Sequence, residues 1–234
     1  MSAAGYKLHR IGLVNVSSYL IYRPGKAILV DCGPAGSEVK ILETLDRLGL
    51  EPDMLQMLVL THSHFDHAGS AGMLKELTGC KILIHATEAE RLRQGFSPIP
   101  SGTRWKAKVL VAAGRIFARK LMKYPGAEPD LRVDRHYELD SVGFPGRIIH
   151  TPGHTYGSMV VLLEQGELIS GDTLFGLANK LHFPPFAEDL PALLSSWRLI
   201  RDLPVKVFYP AHGHKFSFES FEKEFETAIN RYGP

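Results

Sequence analysis

The chain reads as one mixed α and β domain whose strands end in metal-competent side chains. Three observations predict this class. Strand-like apolar runs and helical patterns recur along 234 residues, 44% of them hydrophobic, enough for a sizeable core. Four of the apolar runs lead into His or Asp, three of them through Gly or Pro. In architectures that mix strands and helices, sites collect at the carboxyl ends of strands, where loops converge on one edge. Finally, no internal repeat or low-complexity segment divides the chain, so positions 1–234 are read as a single domain.

The elements follow in order. Strands fill roughly the first thirty residues. Ser37 to Leu48 has Ile41, Leu42, Leu45 and Leu48 on one helical face. Met54 to Leu60 is an apolar run read as a buried strand, and a helix begins near Ala68. The strand Lys81–His85 comes next, and strands and loops alternate through Asp172. A helix from about Leu190 to Asp202 precedes a last strand, Val205 to Tyr209. Phe221, Phe225 and Ile229 mark a closing amphipathic helix. No run is long enough to span a bilayer, and Met1 to Lys7 lacks an apolar signal core. Cys32 and Cys80 fall at buried strand ends and are expected to be reduced, which points to the cytoplasm.

The densest chemistry lies in Thr61-His62-Ser63-His64-Phe65-Asp66-His67-Ala68-Gly69. Alternate residues of an extended segment share a face, so His62 and His64 can share one ion. Asp66 and His67 come where the helix begins and can bend toward a second ion; a carboxylate is favoured at a helix start. Three further strand ends deliver His154 after Thr-Pro-Gly, Asp172 in Gly-Asp-Thr, and His212 in Pro-Ala-His-Gly. Imidazole and carboxylate without thiolate suit zinc, iron or manganese. His9, His85 and His150 are read as structural, and His136 lies near the basic segment described below. His182 and Tyr156 are read as loop residues with an option on the substrate pocket, and His214 as either a support for the site or an exposed loop residue.

In this order and context the motifs resemble the metallo-β-lactamase superfamily across almost the whole chain. Asn15 to Ile21 and Leu29 to Gly33 look like its first strands, and Ser170-Gly171-Asp172-Thr173-Leu174-Phe175 is most similar to the hydroxyacylglutathione hydrolase (glyoxalase II-like) branch. The resemblance implies an α+β fold, a four-layer αββα sandwich of two β-sheets. It implies two divalent metal ions, zinc first, with iron or manganese as the other options. His62, His64 and His154 would hold the first; Asp66, His67 and His212 the second; Asp172 would bridge them. Asp31 resembles the aspartate that supports the site from behind, or is a turn residue ahead of Gly33 and Pro34. Two close cations lower the pKa of a shared water toward ~7, so hydroxide is present at neutral pH. Asp66 would accept a proton as well as ligate.

The implied reaction is metal-dependent hydrolysis of a carboxylic thioester or ester on a small-molecule substrate. Alternatives are a mononuclear iron oxygenase of the sulfur dioxygenase kind, or a ligand-binding or regulatory member of weak activity. Phe175 stands where acyl-homoserine lactone lactonases carry tyrosine, and Asp172 argues against the commonest true β-lactamases. About one helix follows His212 here, so a glutathione thioester bound through the C-terminal helical domain of long hydroxyacylglutathione hydrolases is not expected.

Positions 87–130 are read as a basic helical insert or cap. Between Glu90 and Glu128 there is no acid, and Arg91, Arg93, Arg104, Lys106, Lys108, Arg115, Arg119, Lys120 and Lys123 supply nine positive charges. With a net charge of +2, the rest of the chain carries −7. Trp105, Ile116 and Phe117 recur at helical spacing toward protein, and Lys108, Arg115 and Arg119 lie on another face. The insert is a helix packed on the body, a lid selecting anionic or lipophilic substrates, or a contact with a membrane surface or a partner subunit. Nucleic acid is not expected, since overall charge is near neutral and no dedicated module is visible.

Overall fold

In the computed structural model the described residues are 5–98, 100–103, 122–177 and 182–232. Along the chain, β1 (Lys7–Gly12), β2 (Ser17–Arg23) and β3 (Lys26–Val30) form an antiparallel meander. Helix α1 (Glu38–Arg47) leads to β4 (Leu55–Val59). The short helices α2 (Phe65–Ala68) and α3 (Ala71–Thr78) precede β5 (Lys81–His85), and α4 (Ala89–Gln94) follows it. Next come β6 (Ser101–Gly102), β7 (Leu131–Val133), β8 (His136–Glu138), β9 (Gly146–His150), β10 (Met159–Leu163), β11 (Glu167–Gly171) and β12 (Phe186–Ala187). Helix α5 (Leu190–Arg201), β13 (Val207–Pro210), β14 (Phe216–Ser217) and helix α6 (Phe218–Tyr232) complete the chain.

Two six-stranded sheets result, ordered β1-β2-β3-β4-β5-β7 and β14-β13-β11-β10-β9-β8. A two-stranded pair, β12-β6, stands apart. The central strands are buried on both faces, and side-chain alternation sends each face to a different core. In β2, Leu20 joins the core under α1 and α3, while Tyr19 and Ile21 join the core between the sheets. In β10, Met159, Val161 and Leu163 face the other sheet, while Val160 and Leu162 face Trp197 of α5 and Phe221 of α6. Three apolar layers therefore glue four structural layers, and the expected αββα sandwich is what forms. Fully burying one such aliphatic side chain is worth about 1.5–3 kcal/mol over leaving it exposed.

Local chemistry sets the helix ends. Asp189 caps α5, its side chain accepting from Ala192 N at 2.9 Å, and a proline stands in the first turn, where no N–H is needed. Gly79, at φ +71°, stops α3. One boundary departs from the sequence reading. A single helix was expected to begin near Ala68, but Asp66 and His67 sit inside the separate one-turn helix α2. The break falls at Ser70 (φ −96°, ψ 6°), while Gly69, still helical, lies so close to the backbone of Pro34 and Ala35 that no Cβ would fit.

Candidate metal centre

The carboxyl ends of β4, β11 and β13 and the loop between β9 and β10 meet at one edge of the sandwich. β4 runs into His62 and His64, and α2 carries Asp66 and His67. The β9–β10 loop carries His154; Asp172 follows β11, and His212 follows β13. The structure gathers all seven into two groups. Ligand atoms of His62, His64, His154 and Asp172 lie within 4.8 Å of one another, and so do those of Asp66, His67 and His212.

The far side of each ring decides what its near side offers. A carbonyl or carboxylate oxygen only accepts, so a ring nitrogen bonded to it must be the donor, which leaves the other nitrogen bare in the neutral ring. His154 Nδ1 donates to the Phe186 carbonyl at 3.0 Å, His212 Nδ1 to the Asn15 carbonyl at 2.7 Å, and His67 Nδ1 to Asp31 Oδ2 at 2.8 Å. The Thr61 hydroxyl gives its proton to Asp31, at 2.9 and 3.0 Å from the two oxygens, and accepts from His62 Nδ1 at 3.1 Å. Four Nε2 lone pairs are thus aimed inward. His64 is reversed: its Nδ1 faces the group, 2.8 Å from His62 Nε2 and 3.1 Å from His154 Nε2.

Asp172 stands between the groups and divides its oxygens. Oδ2 is 3.4 Å from His154 Nε2; Oδ1 is 3.3 Å from both His67 Nε2 and His212 Nε2. Asp66 Oδ2 is 3.4 Å from His212 Nε2.

Charge is distributed unequally. Burial and the neighbouring imidazoles hold His62 well below the ordinary histidine value, and burial with His154 lowers His64 to about 4. His154 is lowered too, chiefly by burial. Burial also opposes charge on His67, but Asp172, Asp31 and Asp66 outweigh it and carry the ring well above its ordinary value. His212 rises through Asp172 and its bond to Asp66, again against burial. Burial would raise Asp66, but His67 and His212 hold it down at about 2; Asp172 lies far below the carboxylate range for the same kind of reason. The second group is therefore a negative pocket that draws positive charge.

A divalent cation fits these donors. At the centre, His67 Nε2 and Asp172 Oδ1 are buried without a hydrogen-bond partner. Converging bare nitrogens and an orphaned carboxylate oxygen cost free energy unless a cation answers them. The donor set, imidazole and carboxylate, suits zinc, iron or manganese.

Backbone strain marks the same place. Among the described residues, Asn15 (φ 60°) and Asp31 (φ 57°) are the non-glycine residues with positive φ. Asn15 supplies the carbonyl that orients His212, and Asp31 binds His67, Thr61 Oγ1 and Thr61 N, the last at 2.8 Å. Asp31 thus takes the supporting place that the resemblance implied, in a left-handed turn. Thr61 and the carbonyls of Asn15 and Phe186 were not singled out from sequence. Thr61 could have been, since it precedes His62 in the motif; the carbonyls carry no residue-type signal.

The remaining histidines take other places. His85 and His150 stack at 4.0 Å. His182 is buried, donates to the Phe175 carbonyl at 2.9 Å and stacks on Phe216. His214 is exposed on the loop whose backbone pairs with Gly176. Tyr156 is 53% exposed, two residues beyond His154. Cys32 and Cys80 are buried free thiols. The expected insert helix, with Trp105, Lys108, Arg115, Ile116, Phe117 and Arg119, lies outside the described residues. At its margins Ala89, Leu92, Tyr124 and Ala127 pack into the first core, and Arg91 and Arg93 pair with Glu188 and Glu128 at 2.7 and 2.6 Å. No helix among the described residues is long and apolar enough to cross a membrane.

Fold and donor set together define a sandwich hydrolase-type scaffold with a His/Asp centre suited to metal. The sequence model of the metallo-beta-lactamase superfamily matches residues 11–212, and the chain belongs to that family. It is 30% identical over 202 residues to a probable metallo-hydrolase of Methanocaldococcus jannaschii, covering 84% of this chain and 87% of that one. It is 31% identical over 188 residues to a hydroxyacylglutathione hydrolase of Methylobacillus flagellatus, covering 80% of this chain but only 57% of the relative. Among solved structures, a metallo-beta-lactamase family protein of Thermus thermophilus superposes with a TM-score of 0.71 at 22% identity, over 97% of this chain and 80% of that one.

Proposed function

We propose that the chain is a metal-dependent hydrolase that holds two divalent cations, zinc foremost, and cleaves a carboxylic thioester or ester. The division of Asp172, one oxygen toward His154 and the other toward His67 and His212, carries the two-cation reading. His62, His64 and His154 would hold one ion, Asp66, His67 and His212 the other, and Asp172 both. Cations held there would acidify a water to a pKa near ~7 and polarise a carbonyl oxygen.

The chain's own residues prepare the rest. Phe186, Asn15, Asp31 and Thr61 fix the rings so that little reorganisation is needed at the moment of reaction. Asp66 is kept a carboxylate by His67 and His212, against burial, and its side chain is 25% exposed, so an oxygen can be open to a proton from water as well as to an ion. The ring of Phe175 stacks on His212 at 5.1 Å and helps fix it. The thioester preference rests on the Gly-Asp-Thr-Leu-Phe segment and on the hydroxyacylglutathione hydrolase relative. It suits a site whose near residues are bases, because a thiolate, with a pKa about 8.5, departs without prior protonation far more readily than an alkoxide.

The experiment pairs metal analysis with turnover. Two zinc ions per chain and anaerobic cleavage of thioesters or esters are expected. One iron per chain with oxygen consumption would replace this reading with an oxygenase. Full metal loading without hydrolysis of an ester, thioester, lactone and phosphodiester panel would replace it with a binding role.

A further inference from the structure

Ser63 sits between the ligands His62 and His64, and every polar group it has is engaged. Its hydroxyl donates to the Glu88 carboxylate, its N–H donates to Glu88 Oε2 at 3.2 Å, and its carbonyl accepts from the Tyr124 hydroxyl at 2.6 Å. Ser63 and Glu88 are fully buried, and Tyr124 is 7% exposed. The other oxygen of Glu88 reaches the opposite half of the sandwich, accepting from Gly157 N at 3.2 Å. Gly157 is three residues beyond His154, and a Cβ there would collide with the Glu88 side chain, so the close approach requires glycine.

Arg91 extends the tie. Its Nη1 lies 3.6 Å from Glu88 Oε1 and 2.7 Å from Glu188 Oε1. Glu188 in turn accepts from Tyr156 N at 2.8 Å and donates its own N–H to the Gly153 carbonyl at 2.9 Å. The loop that carries His154 is thus bracketed on both sides by carboxylates joined through one guanidinium.

Resting on the two-cation reading above, we infer that Glu88 is a positioning residue for the first cation: it locks Ser63 to the 154–157 loop and so presets His62, His64 and His154 as one donor triangle. Two features distinguish this from plain packing. A carboxylate is costly to bury and is kept where its bonds do something an apolar side chain could not. A buried carboxylate already backs other ligands in this way: Asp31 stands behind His67 and, through Thr61, behind His62. The first group has a single carboxylate among its ligands, Asp172, and shares it with the second.

Glu88→Gln tests this with little change of shape. One oxygen becomes an NH2 group, which must face a donor, either Ser63 or Gly157, so one side of the tie opens. The measured quantity is zinc affinity of apoprotein by chelator competition, read separately at each group. An Asp66→Asn background keeps the first group intact, and a His154→Ala background keeps the second. Glu88→Gln is expected to weaken zinc about 10–100-fold in the first background and to leave the second unchanged. Ser63→Ala and Tyr124→Phe each remove one bond and should weaken the first ion by smaller factors, which keeps the inference testable if Glu88→Gln does not fold. Unchanged first-group affinity, or equal loss at both groups, overturns the inference while two-ion uptake by the wild type leaves the proposed function standing. A wild type that takes up no divalent ion overturns both.

Discussion

Replacing Asp31 by Asn should weaken cation binding at the Asp66, His67 and His212 group by moving one proton. The backbone at Asp31 is left-handed (φ 57°), a conformation that Asn tolerates as well as Asp, so the turn survives. The side chain's two oxygens now serve three donors: Thr61 N, Thr61 Oγ1 and His67 Nδ1, at 2.8–3.0 Å. An amide has one oxygen. If that oxygen keeps the two Thr61 donors, its NH2 faces His67 Nδ1, and two donors oppose each other. The imidazole resolves the clash by shifting its proton to Nε2, the atom 3.3 Å from Asp172 Oδ1 that would otherwise ligate. Disturbing the partner behind a metal-bound histidine typically costs 10–100-fold in affinity, about 1.4–2.7 kcal/mol at 1.4 kcal/mol per tenfold. Zinc titration of apoprotein should show the second step weakened by that amount and the first step unmoved. Nitrogen NMR of the His67 ring should report the proton on Nε2. An unchanged second affinity with Nδ1 still protonated would refute the tautomer reasoning.

Three further outcomes are expected. Asp172→Ala should lose turnover and one of two metals together, since the carboxylate offsets the repulsion of the paired cations; metal analysis and kinetics on one preparation check it, and two tightly held ions with normal turnover would contradict it. Chelation should lower Tm, and zinc at 100 times its Kd should restore about 2.7 kcal/mol for each site that binds only the folded state; calorimetry with and without chelator reads this, and an unmoved Tm would count against a metal centre. Asp130 is held below the ordinary carboxylate range, against the pull of burial, by Lys75 and the Ile82 N–H, both at 2.8 Å. A depressed folded pKa gives stability that is present above the unfolded value, about 3.9, and is lost as pH falls through the folded one. The Tm gap between wild-type and Asp130→Asn apoproteins should therefore be full above about pH 4 and close below it; a gap independent of pH would sink the assignment.

The seven donors were legible because each is local: an apolar run, then His or Asp, with Gly or Pro between them at His154, Asp172 and His212. The structure brings His62, His64, Asp66, His67, His154, Asp172 and His212 into the two groups that the resemblance implied. The sandwich came from the family resemblance, while the apolar run Met54 to Leu60 read directly as a buried strand, where β4 lies. What holds the donors was not legible. Glu88 reads in sequence as one more acid at the head of a charged helix, and only folding sets it between Ser63 and Gly157. Asn15 and Phe186 act through carbonyls, which every residue has. The split between α2 and α3 falls at Ser70, whose hydroxyl bonds Ser37 N, the Pro34 carbonyl and Glu38, contacts between segments far apart in the chain.

The division of donors between the two sheets has a consequence for how the molecule comes into being. During synthesis the first half emerges with His62, His64, Asp66 and His67, four ligands without their partners. His154 and Asp172 follow later, and His212 arrives only with β13, near the end of the chain. Neither half holds either donor group complete, so the full centre exists only once one sheet has docked on the other.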